Sequence, residues 1–205
     1  MQTEPTKILL VEGIEDKKVI EKLLQRRKIT YGNFAIKNQN GLQKLFNALP
    51  LVLQVSSYEK VGIIIDADLS LSNRWVELRQ LLKKIGYQNL PEKPLESGTL
   101  LIDEAEILPN LGVWIMPNNR LDGKLEDFIE LLIPEKDDLK IPAAKIVKEL
   151  IQKGKNRFRK DSESKAFIHT WLAWQERPGT LLGNAITYRI LKTQEYILDD
   201  GKAST

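Results

Sequence analysis

The sequence predicts an α/β protein with a mostly parallel central sheet flanked by helices. Three observations carry that expectation. Lys7-Ile8-Leu9-Leu10-Val11 is a short apolar run that gives way at once to an amphipathic helical pattern. Val61–Ile65 is a second, stronger run, again followed by a helical stripe. Short runs of continuous apolar residues mark strands buried on both faces, as parallel sheets require.

The elements follow in order. After the first strand, Val19, Ile20, Leu23 and Leu24 fall on one helix face. Phe34-Ala35-Ile36 is a weaker strand, and Asn40-Gly41 is a turn signal. Leu42, Leu45, Phe46 and Leu49 make a helical stripe predicted to end near Pro50. After Val61–Ile65, Ser72 can cap a helix whose buried face is Trp75, Leu78, Leu81, Leu82 and Ile85, with Gly86 as its stop. Residues 90–98 are rich in Pro and polar side chains and read as a loop. Thr99–Ile102 and Val113–Met116 are two further strands, and a helix over Lys124–Ile133 closes at Pro134. Beyond it Glu135–Lys140 is charged and loop-like, and helical stripes follow around 143–151, 163–176 and 182–198, with a polar break at Gly154. The expected organisation is an α/β domain over 1–134 and a helical segment over 135–205 packed on the same domain. No repeat of about 20–50 residues is visible.

Composition narrows the function classes. Of 205 residues, 42% are hydrophobic and 29% charged, enough for a core and for a solvated surface. There is no cysteine, which excludes disulfides and thiolate zinc sites. No apolar run approaches the ~18 residues of a membrane span, and Met1–Lys7 is polar with no signal-peptide core. The expectation is a cytoplasmic protein with no membrane partner. A net charge of +3 permits an anionic partner without demanding one.

The chemistry-bearing residues are acids at strand ends. Ligands of open parallel sheets collect at the carboxyl ends of the strands. Glu12 occupies that end of the first strand, and Asp66 and Asp68 that of the third. In extended backbone, residues two apart point the same way, so this spacing aims Asp66 and Asp68 at one ion. Crowded carboxylates repel unless a cation intervenes. Mg²⁺ takes oxygen ligands and commonly uses one or two carboxylates plus substrate phosphate oxygens. The bland alternative is that acids after strands serve turns.

Val11-Glu12-Gly13-Ile14-Glu15-Asp16 followed by a helix resembles the first motif of Toprim domains. Ile63-Ile64-Ile65-Asp66-Ala67-Asp68 resembles their second, the Asp-x-Asp motif. Such domains occur in topoisomerases, bacterial primases, OLD-family nucleases and recombination mediators of the RecR type. The overlap covers roughly the first two thirds of the chain. The whole looks most like a small stand-alone Toprim-like branch, to which Met116-Pro117-Asn118-Asn119, Gly123-Lys124-Leu125-Glu126-Asp127 and Trp171-Leu172-Ala173 are also similar. The resemblance implies a Toprim-like Rossmannoid fold. It implies that Asp66 and Asp68 hold Mg²⁺ (or Mn²⁺), with Glu12 a further ligand or a general acid/base. Asp16, Glu126 and Asp127 are candidates for supporting that ion or holding a second one. All three also suit a first helical turn, where the dipole favours acids. No nucleophilic-tyrosine domain or zinc module is evident, which leaves hydrolysis with water as nucleophile.

Lys155, Arg157, Arg159 and Lys160 form the densest basic run, with Phe158 among them, as a phosphate-tracking loop would. A solvated interhelical loop is the alternative. The basic end of the first helix, Arg26-Arg27-Lys28, suits the dipole there. His169 is the sole histidine and has no partner at metal-ligand spacing. Gly-rich phosphate loops and Ser or Cys nucleophile motifs are absent. Two functions follow. One is a Mg²⁺-dependent nuclease or related phosphotransferase acting on nucleic acid. The other is a non-catalytic module binding nucleic acid or protein, such as a subunit of a defence or repair complex. A separate ATPase is an expected partner for an OLD-like chain without an ATPase segment.

Overall fold

The computed structural model describes residues 5–29, 34–54, 57–188, 190 and 191. Its strands are β1 (Lys7–Val11), β2 (Phe34–Asn38), β3 (Lys60–Asp66), β4 (Thr99–Leu101) and β5 (Asn110–Met116). They form one sheet in the order β2-β1-β3-β5-β4. β1 runs parallel to β2 and β3, and β3 parallel to β5, while the edge strand β4 is antiparallel to β5. The helices are α1 (Ile14–Arg26), α2 (Leu42–Gln54), α3 (Leu71–Ile85), α4 (Leu125–Leu132), α5 (Lys140–Gln152), α6 (Glu163–Ala173) and α7 (Leu182–Thr187), with a 3₁₀ turn at Lys160–Ser162. This is an α/β fold with a mostly parallel five-stranded sheet flanked by helices.

Strand alternation sorts the apolar residues onto two faces. Ile8, Leu10, Ile63, Ile65, Val113 and Ile115 face Leu45, Leu49, Trp75, Leu78 and Leu82 from α2 and α3. Val11, Ile64 and Met116 face the other way, into a cluster with Val19 of α1, Ile129 of α4, Val147 of α5, Trp171 of α6 and Ala185 of α7. Burial on both faces explains why β1 and β3 read as unbroken apolar runs. Trp171 is fully buried, its indole N–H donating to Asp137 Oδ1 at 2.9 Å, whereas Trp174 and His169 are exposed. No described helix is long and apolar enough to cross a membrane.

Several boundaries differ from the expectation, β5 starting at Asn110 and α6 ending at Ala173 among them. α2 continues through Pro50 for another turn. An interior proline costs about 3 kcal/mol. Burying Leu49 and Leu53, on the same stripe, offsets it at about 1.5–3 kcal/mol each. The N-cap of α3 is Ser70, not Ser72, with its hydroxyl accepting from Asn73 N–H at 3.2 Å. The third C-terminal helix covers Leu182–Thr187; residues 188, 190 and 191 of its predicted span are not helical, and 189 and those from 192 lie outside the described residues.

Candidate functional site

Parallel pairing of β1 with β3 sets Val11 opposite Ile64, so the next residues converge at one end of the sheet. There the Asp66 N–H donates to Glu12 Oε2 at 3.3 Å. Glu12 is itself held by its backbone, whose carbonyl accepts from Gly41 N–H at 2.8 Å. Gly41 has φ +116°, a conformation that L side chains rarely adopt, so the Asn-Gly turn after β2 has a direct role in placing Glu12. Asp66 closes β3, and its Oδ1 accepts from the N–H of Leu125, the first residue of α4, at 3.1 Å. Glu12 and Asp66 thus sit where β1, β3 and α4 meet.

Two more acids join them. Asp16, in the first turn of α1, is 6% exposed. Its Oδ2 accepts from Gly13 N–H at 3.0 Å, closing a capping box. Its Oδ1 is buried with no hydrogen-bond partner. Glu126 of α4 is also 6% exposed, and its Oε1 pairs with Lys165 Nζ of α6 at 3.1 Å. Consecutive helical residues point about 100° apart. Asp127 accordingly turns away from Glu126, and its Oδ2 caps the helix by accepting from Lys124 N–H at 2.7 Å.

These carboxyls act on one another. Burial, then the charges of Asp16, Glu12, Asp68 and Glu126, push Asp66 up to about 9. Burial and the charge of Glu12 push Asp16 up to about 6. Burial also raises Glu12, against the lowering effect of the Asp66 N–H bond. Without a cation, the cluster relieves its repulsion by keeping protons.

Asp68 stands differently from the expectation of a co-pointing pair. β3 stops at Asp66, and Asp68 has φ +55°, so strand alternation does not reach it. Its backbone bonds both ways with Gly123, at 2.8 and 2.9 Å. Its Oδ2 takes Arg74 Nη2 at 2.6 Å and its Oδ1 takes Lys124 Nζ at 3.1 Å. Arg74 also donates from Nε to the Asp66 carbonyl at 3.0 Å. Among the described residues, no three His, Asp or Glu side chains form a ready-made metal cage.

A cleft of about 500 Å³ opens beside the cluster, lined in part by Asp68 and Lys124 and by residues of α4, α5 and α6. Of the basic loop residues, Lys160 lines this cleft. Arg159 pairs with Asp161 at 2.9 Å, and Lys155 and Arg157 are exposed outside it. Arg74, Lys124, Lys148 and Lys165 are additions that the sequence reading did not make. Lys124 was findable, since it lies two residues before Glu126. Arg74 required knowing that α3 starts at Leu71, and Lys165 reaches Glu126 across 39 positions of sequence.

A Cβ placed on Gly13 would lie 2.7 Å from Asp16 Oδ2, although its φ of −123° suits any residue. Gly13→Ala is therefore expected to expel the Asp16 carboxylate from its cap and cost about 1 kcal/mol. Thermal unfolding checks this through non-additivity. Asp16→Ala and the double variant should melt together, and a further loss in the double variant would place the damage elsewhere.

A family model described as "Protein of unknown function (DUF3226)" matches residues 6–203. The C-terminal region of the Xanthomonas campestris pv. campestris OLD protein, a structure phased with mercury, is similar at a TM-score of 0.41 with 14% identity. That similarity covers 93% of this chain and 81% of the other. No curated protein matches this chain.

Proposed function

The chain belongs to the DUF3226 family, and from that premise we propose that it performs divalent-metal-dependent phosphodiester chemistry on nucleic acid, as a nuclease of the Toprim type, at Glu12 and Asp66. The observation that supports this most is Asp16 Oδ1, a buried oxygen without a partner, set among carboxyls that hold one another's protons. Such crowding costs stability beyond what the Asp16 cap and the Asp66 bond to Leu125 return, and a cation entering it would relieve that cost.

The donor set fits Mg²⁺ or Mn²⁺, since every candidate ligand is a hard oxygen. A closed three-carboxylate cage is not needed, because Mg²⁺ completes its shell with water and phosphate oxygens. Glu12 and Asp66 would hold the ion, with Asp68 at the rim. Asp16 and Glu126 would support it or hold a second. Bound there, a divalent cation polarises a phosphodiester and acidifies water.

The chain's own residues supply the rest. Glu12, raised by burial, is better matched to accepting a proton near neutral pH than an ordinary carboxylate. Arg74 and Lys124, fixed by Asp68, set two positive charges beside the acids, where charge developing on a phosphate would be stabilised. The engagement of both Asp68 oxygens favours one second reading, a binding module without catalysis. That reading expects salt-sensitive nucleic-acid binding that survives loss of the acids and no turnover.

The test is cleavage of labelled DNA and RNA with Mg²⁺ or Mn²⁺. Glu12→Gln should lower the rate by about 10²–10⁴-fold, the usual contribution of a positioned acid or base. No cleavage by the wild type, or equal rates in the variant, would falsify the nuclease reading.

A further inference from the structure

Residues 140–160 carry eight Lys and Arg against the single acid Glu149. They comprise α5, the following loop and the start of the 3₁₀ turn. On α5, Lys145 lies opposite the buried Ala143 and Val147, and Lys148 lies on the flank between, as a helical repeat of 3.6 residues requires. Lys148 and Lys160 then turn inward to line the cleft beside the acid cluster.

The cleft also contains acids, and their partners decide its character. Asp68 is held by Arg74 and Lys124, Glu130 by Lys140 and Asp161 by Arg159. Asp122 accepts from Leu71 N–H and Asp127 from Lys124 N–H. Glu163, in the first turn of α6, has the helix dipole beside it. Lys148 and Lys160 have no ion-pair partner among the described residues. Asp122, Asp127 and Glu163 likewise have no ion-pair partner among the described residues, so the cleft is lined by both signs; Lys148 and Lys160 are its cations left open to a phosphate, and they arrive from two different elements. Its floor is apolar, with Ala144, Val147 and Phe167.

Size and depth select the form of the ligand. The cleft falls in the ~300–1,000 Å³ range of sites that enclose a small molecule or one short stretch of chain. Asp16 and Glu126 are almost wholly covered, while Glu12 and Asp66 are partly exposed and Asp68, beside them, lines the cleft. A base-paired duplex is a stiff rod whose bases are stacked away from any apolar floor. A single strand bends inward and lays unstacked bases on apolar surface.

We propose that this cleft binds the backbone of single-stranded nucleic acid, with Lys148 and Lys160 neutralising the phosphates that flank the one presented to Glu12 and Asp66. The outer lysines of α5 and the loop at 153–160 form the approach to it. The proposal rests on the nuclease reading for its orientation, but its test does not depend on cleavage.

The test is fluorescence-anisotropy binding of labelled single-stranded DNA, single-stranded RNA and blunt duplex DNA, in EDTA, at several salt concentrations. Wild type should bind one or both single strands more tightly than duplex. Lys148→Glu/Lys160→Glu should weaken single-strand binding by roughly tenfold or more and lower the salt slope by about 1.4, or 0.7 per lost phosphate contact. Lys148→Arg/Lys160→Arg should bind like wild type, which separates lost charge from misfolding. Unchanged affinity and slope in the glutamate variant, or duplex bound as tightly as single strands, overturns the proposal. Binding as expected with no cleavage under any metal leaves this surface in place and removes the nuclease reading instead.

Discussion

Asp66→Asn is expected to make the metal-free protein more stable while sharply lowering its activity. Asp66 is held near 9 by burial and by its acidic neighbours, so at neutral pH the folded chain keeps a proton there that the unfolded chain, with an ordinary aspartate, gives up. Unfolding is favoured by that release. Asparagine resembles the protonated acid in shape and neutrality, and its side-chain oxygen can still accept from Leu125 N–H. The substitution removes the proton penalty and keeps the contact. The melting temperature in EDTA at pH 7.5 should therefore rise by several degrees, at roughly 2–4 °C per kcal/mol for a chain of this size. The same change takes a charged oxygen donor from the proposed ion, so cleavage should fall by about 10²–10⁴-fold and the stabilisation normally given by Mg²⁺ should vanish. A lower melting temperature in EDTA would show that the Asp66 charge is compensated in the free protein, contrary to the cluster as described. A site that is less stable than its disabled variant is the usual mark of function placed against folding.

The parallel sheet was legible because its strands are buried on both faces. Ile8–Val11 and Val61–Ile65 are buried on both faces except at Leu9 and Gly62, which are partly exposed, so no polar face breaks the apolar run. The nearness of Glu12 to Asp66 depended on β1 and β3 being neighbours, which the sequence implies through resemblance and the structure supplies through pairing. Asp68 was harder to read, because the Asp-x-Asp spacing implies strand geometry, and the strand ends at Asp66. A left-handed turn at Asp68, bonded to Gly123 far along the chain, rotates its carboxylate towards Arg74 and Lys124. Local pattern cannot signal a turn fixed by a partner 55 positions away. Glu126 and Asp127 were inseparable in sequence, and helix rotation separates them. In the basic loop, composition was informative but direction was not. Of Lys155, Arg157, Arg159 and Lys160, the last lines the cleft, while Lys148 joins it from a helix whose lysines resemble an ordinary solvated face.

The pH dependence of stability should reverse when metal is added. For the free protein the signs follow from two aspartates whose folded values lie above the ordinary 3.8. Below about pH 4 both folded and unfolded chains hold these protons, and the stabilisation of the protonated form is fully present. As pH rises, the unfolded chain releases its protons first, so stability falls. The contribution of Asp16 is lost by about pH 6 and that of Asp66 by about pH 9. A divalent cation replaces those protons with positive charge that the ionised acids prefer, and it competes better as protons become scarce. Mg²⁺ or Mn²⁺ should therefore raise the melting temperature little at pH 5 and most at pH 8–9. Binding at pH 7 should release protons, measurable by calorimetry in buffers of different ionisation enthalpy. Asp66→Asn should release fewer, and Lys148→Glu/Lys160→Glu as many as wild type, because those lysines serve the nucleic acid and not the ion. Metal stabilisation that is independent of pH, with no proton release, would mean that any ion binds elsewhere and that the buried acids of β1, β3, α1 and α4 remain protonated throughout.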